Sequence, residues 1–285
     1  MSEQITQMNG IEICSESFGN PADPPVLLIM GAMCSMVYWD AEFCQRLADT
    51  GRYVIRYDNR DVGRSTTNEP GKLEYNAVDM ANDAVGVLDA YGIDQAHIVG
   101  LSLGGMIAQL ISVNHPQRVL TITMIGTGSI FESELDNEEV PPMDERILAY
   151  HASGAELDWS DDEVVANYLV KGSSLLCGSG HRFDEQRAYK LALTEIKRAN
   201  HLLSMYNHAL LGSSGPYEGS LKDIAVPALV IHGTEDTVCH FGGATILVNE
   251  ISDASLLALE GTGHEIHFDD WDQIIDAIVK HTSVV

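Results

Sequence analysis

The sequence predicts an α/β fold: a mostly parallel central sheet flanked by helices, with a helical segment inserted before its last strands. Three observations predict it. Short apolar runs recur along the chain, most of them are continuous rather than alternating, and helical patterns separate them. A continuous apolar run suits a strand covered on both faces. Regular alternation of strands and helices implies parallel strands joined by crossover helices.

The runs at 26–30, 53–57, 97–101, 120–125, 228–232 and 255–259 are the expected strands. Helical patterns at 40–49, 75–91, 103–115, 241–250 and 269–281 lie between and after them. Residues 1–20 read as an antiparallel hairpin on the sheet edge, turning at Asn9-Gly10, a pair that tolerates the positive φ of a tight turn. Alternation stops between 131 and 221. That stretch opens with an acidic run at 132–139, followed by Pro141 and Pro142. It carries helical patterns at 161–171 and 184–203, and Gly/Ser-rich patches at 172–180 and 212–219 that read as loops. The expected organisation is a core of residues 1–130 and 222–285, with a helical cap insertion at 131–221.

A chain of 285 residues suits one large α/β domain with such an insertion. With 45% hydrophobic residues it can bury a sizeable core. Sixteen Lys and Arg against 42 Asp and Glu give a net charge of −26. Nucleic acid and anionic membranes both require a basic surface, so neither is an expected partner. Cys14, Cys34, Cys44, Cys177 and Cys239 are an odd number with no Cys-x-x-Cys pair, which suits free thiols in a reducing compartment. The N-terminus shows no basic region followed by an apolar run, and no stretch approaches the roughly 20 apolar residues of a membrane helix. The expectation is a soluble, cytoplasmic protein.

Gly100-Leu101-Ser102-Leu103-Gly104 follows the strand at 97–101 and precedes a helix-prone run. A serine between strand and helix sits on a sharp turn with strained backbone angles. Glycines on either side let chain segments approach closely. The hydroxyl then projects at the positive end of the next helix, where the Leu103 N–H can donate to an oxyanion. A phosphate-binding loop is excluded because no Lys follows the glycines, and the Gly-x-Gly-x-x-Gly of a dinucleotide site is absent. Ser102 is therefore the candidate nucleophile.

The order of strand, Gly-Leu-Ser-Leu-Gly elbow, late Asp and later His resembles the α/β-hydrolase superfamily over nearly the whole chain. A second shared stretch runs from Tyr57 to Thr66, Tyr-Asp-Asn-Arg-Asp-Val-Gly-Arg-Ser-Thr. Many members carry Asp-x-Arg-Gly-x-Gly-x-Ser there, and this chain has Asp61 in place of the first glycine of that pattern. That variant, with Val-Gly-Leu-Ser-Leu-Gly, is similar to the branch that includes aclacinomycin methylesterase. The resemblance implies a serine hydrolase with its helical cap at 131–221.

A serine hydroxyl needs a neighbouring base. His264 lies in Gly261-Thr262-Gly263-His264, after the last expected strand and on the same rim as the elbow, where the superfamily also places its histidine. His267 is the closest rival. The imidazole needs a carboxylate to fix its tautomer. The family pattern of a strand followed by Gly-x-x-Asp falls on Asp236, with Glu235 beside it. The second oxyanion donor belongs after the strand at 26–30. Family members carry His-Gly there, and this chain has Met30-Gly31-Ala32-Met33. By position the donor is the backbone N–H of Ala32, with Met33 as fallback.

Other constellations carry weaker chemistry. His264, His267, Asp269 and Asp270 lack the spacing of a zinc site, so no metal is expected. Cys34 and Cys239 lie near the site, but small buried thiols are common. Asp58, Arg60 and Asp61 read as scaffold, with Arg60 holding neighbouring loops. Trp39, Met30, Met33, Met36 and Met106 favour a greasy substrate group near the oxyanion loop. The expected function is cleavage of a carboxylic ester of a small molecule, without a cofactor, and the resemblance implies a methyl ester of a bulky acid. The same triad also suits a lactonase or a carbon–carbon bond hydrolase, and a hydrolase-like ligand receptor is the alternative outside catalysis. Dehalogenase and epoxide hydrolase chemistry is disfavoured, because both use Asp where this chain has Ser102.

Overall fold

The computed structural model describes residues 3–132, 140–213 and 216–283. All but the first residue of the acidic run at 132–139 therefore lies outside the described residues. Among the described residues eight strands form one sheet: β1 (Gln4–Met8), β2 (Ile11–Phe18), β3 (Pro25–Ile29), β4 (Tyr53–Tyr57), β5 (Ala96–Leu101), β6 (Val119–Ile125), β7 (Ala228–Gly233) and β8 (Ala254–Leu259). Their order is β1-β2-β4-β3-β5-β6-β7-β8. β2 runs antiparallel to β1 and β4, and every other neighbouring pair is parallel. The β1–β2 turn falls at Asn9 and Gly10, with φ of 50° and 81°, which is the hairpin the Asn-Gly pair predicts.

Among the described residues eight α-helices accompany the sheet: α1 (Ala41–Asp49), α2 (Ala77–Ala90), α3 (Leu103–Asn114), α4 (Glu145–Ser153), α5 (Asp162–Leu176), α6 (Glu185–Arg198), α7 (Gly242–Glu250) and α8 (Trp271–His281). Side chains alternate across each strand, so neighbouring residues feed different cores. Ile98 joins Ile55, Ile122 and Val230 under α2, α3 and α7, whereas Val99 joins Val54, Ile125 and Ile231 under α1 and α8. Both faces are apolar, which explains why these strands lack polar alternation. Truncating a fully buried residue such as Ile98 to Ala would cost about 2–5 kcal/mol.

Capping explains where helices begin. Asp40 accepts the Glu42 N–H before α1, and Asn76 with Asp79 forms a capping box before α2. Two expectations need correction. The patch at 172–180 is not all loop, because α5 continues through Gly172 to Leu176. A Cβ at Gly172 would collide with the Tyr150 ring, so the glycine serves close packing within a helix. The pattern at 184–203 is also shorter as an α-helix, since α6 ends at Arg198 and 3-10 turns follow over Leu202–Ser213. In addition, α4 arises where no helix was expected, capped by Asp144. Helices α5 and α6 share a third apolar cluster around Val165, Tyr168, Leu169 and Ala192, joined by Val62 from the loop after β4.

Candidate active site

Ser102 occupies the turn between β5 and α3 with φ 52° and ψ −119°, a region that L residues enter only under constraint. The constraint is visible. Its N–H donates to Ile125 O at 2.9 Å, and its carbonyl accepts from Gly105 N at 2.8 Å and Thr127 Oγ1 at 2.8 Å. A Cβ at Gly100 would collide with the Gly104 carbonyl, and one at Gly104 with the Ile29 carbonyl. Only glycines on both sides allow this turn to close.

Asp236 and His264 come from the loops after β7 and β8, and His264 Nδ1 donates to Asp236 Oδ2 at 2.7 Å. Asp236 Oδ1 accepts the N–H groups of Val238 at 2.8 Å and Cys239 at 2.7 Å. Burial alone would raise the Asp236 carboxyl, but hydrogen bonds from His232 and His264 outweigh it and hold it well below the usual carboxylate range. His232, at the end of β7, lies with Nε2 3.4 Å from Asp236 Oδ2 and 2.7 Å from Cys239 O. Sequence reasoning missed this fully buried residue. Its signal was a histidine in an otherwise apolar strand, four residues before the acid.

The rivals point elsewhere. Glu235 accepts from Ser179 Oγ at 2.6 Å and Ser179 N at 2.7 Å on the surface. His267 stacks on His181 with ring centres 4.0 Å apart, and its Nδ1 accepts the Asp269 N–H at 3.3 Å. The four residues weighed as metal ligands also separate. His264 serves Asp236, while Asp270 accepts from Thr262 Oγ1 at 2.7 Å and lies 2.8 Å from His181 Nε2. Two other groups, Cys177–Glu265–His267 and His181–His267–Asp269, bring donor atoms within 4.8 Å of one another. In the first, Glu265 Oε1 already accepts the Gly178 N–H at 2.9 Å.

Ala32 lies in the loop after β3, and Leu103 opens α3. Among the described residues no acceptor takes the backbone N–H of either. Met33 differs, because its N–H donates to His208 Nδ1 at 2.9 Å. The fallback donor is thus occupied, and the two N–H groups expected by position are free.

Ser102, His264 and Ala32 line one cavity of about 240 Å³. Its walls are largely apolar and aromatic, with Tyr38, Trp39, Phe183, Phe268 and Trp271 contributing. Met30 and Trp39 reach the cavity, as the greasy-pocket expectation requires, but Met33, Met36 and Met106 do not line it. Residues of α5, α6 and the intervening loop supply Ser173, Leu176, Phe183, Arg187 and Leu191. Arg187 pairs with Asp40 at 2.7 Å and stands over the rings of Trp271 and Phe268, at 4.9 and 5.3 Å. Burial pushes the Cys239 thiol up to about 12, and Asp236 adds to this while a Ser102 hydrogen bond opposes it. Burial likewise raises Cys34. Neither thiol is a thiolate at neutral pH. Arg60 forms two hydrogen bonds to Asp83 on α2, and Asp58 accepts from Met36 N at 2.8 Å and Arg198 Nη2 at 2.7 Å. Both act as struts beneath the loops.

Residues 24–270 match the family model described as alpha/beta hydrolase fold. The chain is 30% identical to rhodomycin D methylesterase DauP of Streptomyces sp. (strain C5), over 99% of this chain and 98% of that protein. It is also 30% identical to rhodomycin D methylesterase DnrP of Streptomyces peucetius, with the same coverage of 99% and 98%. Among solved structures, the esterase EaEST from Exiguobacterium antarcticum superposes with a TM-score of 0.79 at 21% identity, covering 99% of this chain and 100% of that one. No described helix is long and apolar enough to cross a membrane.

Proposed function

The chain belongs to the α/β-hydrolase family, and from that premise we propose that it hydrolyses a carboxylic ester through an acyl-enzyme on Ser102. The observation that carries this reading is the Asp236–His264 bond at 2.7 Å, which holds His264 on the wall of the cavity that Ser102 also lines. With Nδ1 committed to Asp236, His264 has Nε2 left to take a proton. Ser102 Oγ attacks the ester carbonyl carbon as His264 Nε2 removes its hydrogen. The carbonyl oxygen becomes an oxyanion and accepts the N–H groups of Ala32 and Leu103. The carbon–oxygen bond to the alcohol breaks, and His264 returns the proton to the departing oxygen. Water, deprotonated by the same imidazole, then releases the acid and restores Ser102. No cofactor takes part.

In this reading residues 131–221 are a cap on a core of residues 1–130 and 222–285. The support is that Leu176, Phe183, Arg187 and Leu191 line the same cavity as Ser102 and His264. The aromatic walls, and two methylester-cleaving relatives spanning the whole chain, favour a methyl ester of a bulky, flat acid. The test is a panel of methyl esters of polycyclic acids, short-chain p-nitrophenyl esters and lactones. Turnover of the polycyclic esters that disappears in Ser102→Ala is the expected result. Undiminished turnover in Ser102→Ala would overturn the chemistry. Turnover of short acyl esters alone would overturn the substrate class.

A further inference from the structure

Met33 adopts φ 64° immediately after Ala32, although it is not a glycine. A left-handed residue of this kind costs on the order of 1–2 kcal/mol and persists only where its surroundings hold it. His208 is the holder that the structure provides. It lies in the helical turns Leu202–Ser213 and is 4% exposed. Its Nδ1 accepts the Met33 N–H at 2.9 Å, and its Nε2 lies 2.7 Å from the Arg60 carbonyl oxygen. A carbonyl only accepts, so Nε2 carries the hydrogen and Nδ1 keeps the lone pair that Met33 needs. Burial pushes the imidazole below its ordinary pKa, against the opposing pull of the Arg60 carbonyl and Asp61, which preserves that lone pair.

The neighbouring residue fastens the same turn. Asn207 Nδ2 donates to Asp61 Oδ2 at 3.0 Å and to Glu69 O at 3.2 Å, and its Oδ1 accepts the Gly71 N–H at 2.8 Å. Asp61 itself has φ 66° and also accepts from Tyr75 Oη at 2.9 Å. The residue that departs from the superfamily glycine is therefore an anchor for this turn. One short segment thus reaches the loop after β4 and the loop after β3 together.

We propose that His208 is a positioning residue for the oxyanion loop: by holding the Met33 N–H it fixes the peptide beside Ala32 and keeps the Ala32 N–H available to the substrate oxyanion. This rests on the reading of Ala32 as a donor. His208 touches no reacting atom. It acts by occupying the competing N–H and pinning the peptide plane next to the one that works.

Two substitutions of similar size separate this role from simple packing. His208→Asn places an acceptor where Nδ1 lies and gives up the Arg60 contact, whereas His208→Gln keeps a donor toward Arg60 and gives up the acceptor. With a p-nitrophenyl ester, His208→Gln should lower kcat about 100-fold at nearly unchanged KM, the scale of one misplaced oxyanion donor. His208→Asn should recover at least about tenfold of that loss. Equal losses in the two variants, or an unchanged kcat in His208→Gln, would overturn the proposal. Absence of any wild-type turnover that Ser102→Ala removes would instead sink the hydrolase reading. Crystal structures of the two variants then decide the positioning claim. Met33 leaving positive φ in His208→Gln alone supports it, and the same Met33 conformation in both overturns it.

Discussion

The cavity has two walls of different construction. The wall on the sheet rim carries the strained and hydrogen-bonded groups: Ser102 sits at φ 52°, and the Asp236 carboxylate that holds His264 there accepts from Val238, Cys239 and His264, with His232 Nε2 3.4 Å away. The opposite wall, from Ser173 to Leu191, is mostly apolar side chains on helices, with Arg187 stacked over aromatic rings. A wall that must hold a proton path within tenths of an ångström needs backbone constraints and saturated hydrogen bonds. A wall that selects a substrate needs shape and adaptable contacts. The first should therefore fail through kcat and the second through KM.

Asp236→Asn gives the largest expected effect. The amide cannot fix the His264 tautomer or stabilise its cationic form, so kcat should fall about 1,000- to 10,000-fold at similar KM. A variant that changes KM alone would remove the distinction between the walls. Arg187→Ala comes next. Arg187 lines the cavity, and a cation–π contact to a bulky aromatic acyl group would be worth about 0.5–2 kcal/mol, so its loss should raise KM for bulky aromatic esters about 3- to 30-fold and leave kcat for short acyl esters nearly unchanged. Equal effects on both substrate classes would show that Arg187 shapes the site instead of reading the acyl group.

The third effect, read in stability and not in turnover, concerns the seam between the walls. Glu195 on α6 is 2% exposed and accepts a short hydrogen bond from Ser35 Oγ in the loop after β3. Burial pushes its carboxyl up to about 7, with Asp58 adding to this and Ser35 and Arg198 opposing. The folded chain thus keeps this proton to higher pH than the unfolded chain does. Stability from this group is present below about 4.5 and declines as pH rises to about 7. The full change is at most roughly 3 kcal/mol. In Glu195→Gln the Tm difference between pH 5 and pH 8 should shrink by that contribution. An unaltered difference would show that Glu195 does not titrate in this interval.

The same contrast governs how much of the molecule was legible in the sequence. The rim was legible because chemistry there restricts residue type. Only glycine fits at 100 and 104, and the strands at 97–101 and 228–232 are continuous apolar runs because both faces are covered. The residues expected as Ser102, Asp236 and His264 accordingly lie in loops that meet. His208 was invisible because its role depends on Met33, 175 positions away, which no local pattern links, whereas His232 left only the trace of a histidine in an otherwise apolar strand, four residues before Asp236. The helical segment was the least legible. Gly172 looked like a loop signal, since nothing local shows that it lies against Tyr150, and α4 buries Ile147 alone, so no apolar run marks it.

The central claim is that Ser102 is the nucleophile and that Ala32 and Leu103 receive the oxyanion. The most direct measurement is a crystal structure after reaction with an alkyl phosphonate ester, whose tetrahedral phosphorus mimics the intermediate. The account predicts phosphorus bonded to Ser102 Oγ, with one phosphonyl oxygen within about 3 Å of both the Ala32 and Leu103 nitrogens. Phosphorus on any other side chain, or an oxygen directed away from those two N–H groups, would contradict it.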